Sequence, residues 1–241
     1  MPTEESYPKL ISLAVHELRT PISVVGGYLR MLQRDTDAPL TDRQRKMVDE
    51  AEKSCAKLVA LIAALSEVGK IDEGLITMSA KPIDLFRVVA EVAEGVHEAE
   101  DSELRFEVRG HDASARLTGD ETRLRAAFGA IFQAILREKA GPCTVVADCR
   151  LIKESARSSA VVVVADEPSV QAAYDAPVGT FDEKRGGVGL SLPIARRVIE
   201  AHGGRLWSPA FATGEGGTGQ PAVFDERAAR STALIALPLG S

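Results

Sequence analysis

Apolar residues recur at Ile11, Val15, Leu18, Ile22, Val25, Leu29 and Leu32, alternating steps of four and three. That spacing is the seam of a helix packed against other helices. It predicts a helix over 4–34, with Pro21 inside it. Proline has no N–H to give to the Glu17 carbonyl, so a kink is expected beside it. His16 and Thr20 lie four apart, off the seam and on one stripe of the helix. The stripe continues through Ser23 and Gly27, both small, so a partner can come close to it. Burial does not explain a histidine on such a face.

Residues 35–40 form a polar turn, and Thr41 is placed to cap a second helix. That helix carries its own seam through Met47, Ala51, Ser54, Leu58, Leu61, Leu65 and Val68. Two seamed helices joined by a short turn make an antiparallel hairpin. A hairpin cannot enclose a core by itself, so two copies are expected to pair into a four-helix bundle. Residues 69–74 break the helical pattern and mark a domain boundary, giving domains at 1–72 and 73–241. The second domain mixes strands and helices. Strands are expected at 76–79, 104–108, 143–152, 160–165 and 231–237. Helices are expected at 83–98, 121–139 and 193–202, the last stopped by Gly203-Gly204. The wholly apolar run 160–165 reads as a central strand.

Composition narrows the function. The 241 residues are 45% hydrophobic and 27% charged, as in a soluble globular chain. No stretch of eighteen apolar residues is present to span a membrane, and no leader pattern opens the chain. The net charge of −6 argues against a nucleic-acid groove. The three cysteines lack metal-ligand spacing and suit reduced thiols, so a cytoplasmic location without membrane contact is expected. The chain is either a module of a longer protein or complete with input from a partner. It contains no asparagine.

The run His16-Glu17-Leu18-Arg19-Thr20-Pro21 resembles the phosphoacceptor H-box of sensor histidine kinases. The resemblance spans nearly the whole chain and implies a helical dimerisation domain followed by an α+β sandwich of the GHKL ATPase type. It implies catalytic roles for three residues. His16 carries the phosphoryl group, Glu17 takes its proton or holds its tautomer, and Thr20 orients an attacking water. Gly186-Gly187-Val188-Gly189-Leu190-Ser191-Leu192, followed by Pro193 to Arg197 and by Ala201-His202-Gly203-Gly204, resembles the family's G2 box. Gly187, Gly189 and Leu190 are then the phosphate-side nucleotide contacts, since a glycine turn before a helix N-terminus suits an anion. Asp166, after the strand Val161–Val164, matches the residue that bonds the adenine amino group.

Other parts of the family's ATP site are missing. After Asp166 the family's Gly-x-Gly is replaced by Glu167-Pro168-Ser169-Val170. Ala130 and Ala134 stand where asparagines would face the phosphates and hold Mg²⁺. Alanine offers no oxygen, and Mg²⁺ requires near-octahedral oxygen ligation. Binding of ATP or ADP is therefore expected to be weakened, with Mg²⁺ held only by a ligand set foreign to the family, such as one using Gln133, or with Arg137 neutralising phosphate charge without a metal. Asparagine at position 134 would be the substitution to restore it. The lid, 169–185, is short, with Phe181 and Lys184 faintly like the family's lid residues. The expected work is phosphotransfer to, or dephosphorylation of, the receiver domain of a response regulator, by a homodimer. The alternatives are an autokinase with an atypical metal site and a non-enzymatic scaffold that sequesters a regulator or kinase. A serine-directed kinase would leave the H-box unexplained.

Overall fold

The computed structural model describes residues 6–96, 104–139, 141–154, 157–187, 189–211 and 224–239. Two compact units divide the chain, Met1–Ile76 and Thr77–Ser241.

The first unit is a hairpin of α1 (Ser6–Arg34) and α2 (Asp42–Asp72). The helix is continuous through Pro21, and residues 4 and 5 lie outside the described residues. Between the helices, Asp35 accepts the N–H groups of Asp37 and Ala38 at 3.0 and 3.1 Å. Thr41 and Gln44 form a reciprocal capping box that starts α2. The second helix does not break at Gly69. It runs to Asp72 and ends where Gly74 takes φ 66° and Leu75 N–H reaches back to Lys70 O at 2.9 Å.

The hairpin uses only part of the expected seams. On α1, Val15 and Gly26 are buried and Ile11, Ile22 and Leu29 half-buried, whereas Leu18, Val25 and Leu32 stay 46–52% exposed. On α2 the buried side chains are Cys55, Ile62 and Val68. The expected Met47, Leu58 and Leu61 are 64%, 48% and 45% exposed. Over 47–62 the packed face of α2 is thus turned by about one residue, roughly 100°, from the predicted one, while Val68 is buried as predicted. Close approach explains the choice. A Cβ on Gly26 would lie 3.2 Å from Cys55 Sγ, and that thiol bonds the Ile22 carbonyl at 3.4 Å. Gln33 closes the far end by donating to both Asp49 and Glu52 at 2.9 Å.

The second unit is built on a six-stranded sheet in the order β2-β4-β5-β8-β7-β6. Its strands are β2 (Leu104–Arg109), β4 (Cys143–Glu154), β5 (Arg157–Asp166), β6 (Val178–Gly179), β7 (Arg205–Pro209) and β8 (Ala233–Pro238). Only the β2–β4 pair is parallel. A separate two-stranded sheet joins β1 (Lys81–Asp84) to β3 (Arg116–Gly119). The expected strand at 76–79 is absent, and the pairing segment lies just after it at β1. Residues 83 and 84, read as helix, belong to β1, and α3 begins at Leu85 and ends at Glu94. Residues 97 and 98 of that expected helix lie outside the described residues. Sequence alone also missed β3, β6, β7 and two short helices, α5 (Val170–Asp175) and α7 (Glu226–Arg230).

One face of the sheet is covered by α3, α4 (Glu121–Arg137) and α6 (Ser191–Ala201). Their apolar stripes include Leu85, Phe86, Leu124, Phe128, Phe132, Leu192 and Ile199, all fully buried. The other face is covered by α5, α7 and Phe224 against Val161, Val163 and Ala165. Both faces of β5 are therefore dry, which is why its sequence is continuously apolar rather than alternating.

Between β6 and α6 the chain turns around Arg185, whose side chain is only 1% exposed. Its Nε donates to Asp182 O at 2.8 Å. Its Nη1 donates to the carbonyls of Arg230 and Thr232. Its Nη2 donates to Ser208 Oγ at 2.9 Å. The guanidinium lies 4.0 Å over the ring of buried Phe181. Burial pushes Arg185 down to about 10, so it stays charged at neutral pH. It joins the turn to β7, β8 and the end of α7. Arg185→Met should destabilise the chain by about 2–4 kcal/mol, because the guanidinium's hydrogen bonds to three carbonyls and the Ser208 hydroxyl are lost inside the protein. Urea denaturation checks this, and Arg185→Lys should recover less than half, since an ammonium cannot span the fork.

Candidate functional site

Two groups of residues carry chemistry, one in each unit. In the first, α1 presents His16, Glu17 and Thr20 outward while Val15 beside them is buried. The imidazole is 77% exposed, and its Nδ1 lies 3.5 Å from Glu17 Oε1. An ionised carboxylate only accepts, so this contact favours the tautomer with the proton on Nδ1. The Nε2 lone pair is then free to attack an electrophile in solvent. One turn on, Thr20 and Ser23 are exposed. A Cβ on Gly27 would meet nothing within 4 Å, so the stripe is open along its length.

In the second unit the expected nucleotide residues come together around the C-terminal end of α4. Gly186, Gly187 and Gly189 all take positive φ, 66°, 57° and 66°. They lead through Leu190 into α6, whose first turn has no side-chain cap. Val188 lies outside the described residues. An uncapped helix start behind a glycine turn is the geometry that suits an anion.

The opposite wall has closed on that turn. A Cβ on Gly186 would lie 2.6 Å from Ala134 Cα, so the glycine backbone rests on the helix at the position where the family carries asparagine. The α4 end holds Gly186 by both its polar groups. Its N–H donates to Glu138 Oε1 at 2.7 Å, and its carbonyl accepts from Arg137 at 3.2 Å. Gln133, the suggested metal ligand, is exposed while Ala134 is fully buried, so it leaves the face where phosphates would lie. Arg137 is engaged as a clamp on Gly186. Among the described residues, no group of three or more His, Cys, Asp and Glu side chains is placed to hold a metal ion.

Asp166 is also engaged. Its Oδ1 accepts from Lys139 Nζ at 2.8 Å and its Oδ2 from Ser169 Oγ at 2.8 Å. Burial alone would raise the Asp166 carboxyl, but the hydrogen bond and charge of Lys139, with the Ser169 hydroxyl, hold it below the usual range. The residues present therefore do not match a site for Mg²⁺-bound ATP at either end.

The segment read as a lid is folded. Residues 167–169 form a single 3-10 turn into α5, whose Val170 and Ala173 are buried. Phe181 is buried under Arg185, and Lys184 is exposed. His202, given no chemistry from sequence, accepts from Asp120 N–H at 2.9 Å and contacts Val198 O at 2.6 Å, joining the end of α6 to the start of α4. Sequence reasoning missed Lys139, Glu138 and Arg185, because single charged residues outside any motif give no signal until the fold places them.

Comparison with known proteins agrees with the first unit's geometry. Residues 9–74 match the His Kinase A (phospho-acceptor) domain. The chain is 30% identical over 209 residues to the sensor protein CutS of Streptomyces coelicolor, covering 82% of this chain and 48% of that protein. It is 27% identical over 206 residues to the sensor protein GacS of Pseudomonas syringae, covering 79% of this chain and 22% of that protein. The chain belongs to the sensor histidine kinase family. It spans less than half the length of these two relatives. The structure of full-length ShkA in complex with AMPPNP shares the fold, with TM-score 0.59 at 21% identity over 96% of this chain and 45% of that one. The Acinetobacter baumannii histidine kinase AdeS does too, with TM-score 0.52 at 14% identity over 93% of this chain and 97% of that one. No helix among the described residues is long and apolar enough to cross a membrane.

The contact of Gly186 with Ala134 bears on one expectation from sequence. Ala134→Asn should not restore magnesium-dependent nucleotide binding. It should cost about 1–3 kcal/mol, because the added atoms have no space beside Gly186. Calorimetry with Mg²⁺ and ATP, together with urea denaturation, checks both halves. The depressed Asp166 carboxyl sets a pH dependence. Its stabilisation is complete above the ordinary aspartate value of about 3.9 and is lost as pH falls through the lower native value. Asp166→Asn should therefore be less stable than wild type by about 1–3 kcal/mol at pH 7, with the difference shrinking below about pH 4.

Proposed function

We propose that this chain works in two-component signalling mainly by moving phosphoryl groups between His16 and the aspartate of a response-regulator receiver domain, or by dephosphorylating that aspartate. Autokinase activity is weak or lost. The reading is supported by the direct packing of Gly186 on Ala134, where the family would carry a metal-binding asparagine, while the His16 face stays open.

For transfer from a receiver, His16 Nε2 attacks phosphorus with its lone pair. The P–O bond to the receiver carboxylate breaks, and the carboxylate leaves with that electron pair. The ring becomes a phosphoimidazolium, and Glu17, beside the Nδ1 proton, offsets the new positive charge. The reverse step returns the phosphoryl group. In dephosphorylation, water is the nucleophile, the Thr20 hydroxyl orients it, and inorganic phosphate leaves.

A second copy of the chain fits the exposed apolar stripes. Leu18, Val25 and Leu32 on α1 and Met47, Leu58 and Leu61 on α2 form more apolar surface than a solitary hairpin keeps in water. Two hairpins pairing through them give a four-helix bundle. The autokinase alternative keeps one observation in its favour, the glycine turn before an uncapped α6.

The test incubates the chain, its mass in solution first measured, with a phosphorylated receiver domain. Phosphate on His16 and free phosphate are followed separately. His16→Ala should abolish transfer, and Glu17→Ala should slow it about ten- to a hundredfold. Thr20→Ala should spare transfer and reduce phosphate release by a similar factor. Full function in His16→Ala would favour the scaffold, and rapid magnesium-dependent labelling of His16 from ATP would overturn the reading. A monomeric mass would remove the bundle.

A further inference from the structure

Lys139 lies two residues past the end of α4, held in its turn by a bond from its N–H to Leu136 O at 3.1 Å. It is a lysine with an unusual setting, since its side chain is only 8% exposed. Its ammonium donates to Asp166 Oδ1 at 2.8 Å and to Ser231 Oγ at 2.9 Å. Ser169 takes the other carboxylate oxygen. Three elements thus converge on one cation: the end of α4, the end of β5, and the residues leading into β8. Beside this cluster is a cavity of about 310 Å³ bordered by Glu138, Lys139, Cys143, Asp166, Arg227 and Ser231. That volume is at the small end of what holds a drug-sized ligand.

Within this cavity Asp166 is already occupied by a cation. A bare carboxylate at its wall accepts, and it suits an amino group on a flat base. An ammonium only donates. With Lys139 on Oδ1 and Ser169 on Oδ2, each oxygen of Asp166 already holds one donor, and an incoming amino group competes with an ammonium for the carboxylate. Taking that acceptor back would mean stripping a partly buried ion pair, leaving a charged lysine without its partner.

We propose that Lys139 is a built-in competitor at the base end of the nucleotide pocket, bonding the Asp166 carboxylate that a ligand's amino group would use and so weakening adenine binding. The proposal rests on reading Asp166 as the base-end residue. It adds a second closure, chemically separate from the Gly186–Ala134 contact at the phosphate end. One is an ion pair and the other is steric, so they can be tested apart.

Adenosine is the suitable probe, because it has no phosphates and does not depend on the glycine turn. Inosine differs from it by an acceptor in place of the amino group. Titration calorimetry on the full chain, without metal, compares wild type, Lys139→Ala and the double variant Lys139→Ala/Asp166→Ala. Thermal melting of each checks the fold, and Lys139→Met, which keeps the aliphatic stem but no charge, replaces Lys139→Ala if that variant does not fold. The charge-free lysine variant should bind adenosine roughly ten- to a hundredfold more tightly than wild type, the scale of one hydrogen bond to a charged group. It should prefer adenosine to inosine, and the double variant should lose the gain. Equal adenosine affinity in wild type and variant, including no binding by either, overturns the proposal. So does a gain that survives loss of Asp166. Transfer through His16 is read in a different assay on wild type, so failure of the functional reading and failure of this one give different results.

Discussion

Gly186 can lie against α4 only because neither it nor Ala134 has a side chain that reaches across. Much of the second unit is arranged around that contact. Arg137 and Glu138 hold the glycine's carbonyl and N–H. Arg185, next in the chain, is fixed by carbonyls of the α7–β8 segment and by Ser208. A glycine turn is usually a flexible element, since glycine gives up more conformational freedom than other residues. Here its entropy is already spent in the folded state. At Gly186 the turn is a packed part of the wall.

The first unit has the opposite character. Its chemistry sits on an exposed stripe of one helix, supported from behind by Val15 and by the close approach of Gly26 to Cys55. Nothing in that stripe depends on the second unit's pocket being able to bind nucleotide. A phosphoacceptor histidine needs a lone pair, a carboxylate and an open face. A nucleotide site needs many groups to converge, and losing two or three of them closes it.

Local patterns carried much of this structure. The cap at Thr41, the both-sides-buried β5, and the three longer helices of the second unit, α3, α4 and α6, follow from residue spacing and cap chemistry within a few positions. What the patterns did not carry was partner choice. Helix α2 has two apolar stripes about one residue apart. Periodicity cannot say which one meets α1, because that is decided by where small residues permit close approach. The short strands β3, β6 and β7 have too few residues to show alternation, and their identity comes from their neighbours in the sheet.

The sequence by itself determined the helical hairpin, the phosphoacceptor stripe of His16, Glu17 and Thr20, and the loss of asparagine from the helix facing the glycine turn. Each is a matter of residue type at a fixed spacing along one element. Only the tertiary structure decided that Gly186 packs against Ala134, and that Asp166 is paired with Lys139 across twenty-seven residues of sequence. Those contacts join segments with no shared period, so their existence depends on how the sheet and helices pack, which no local pattern encodes.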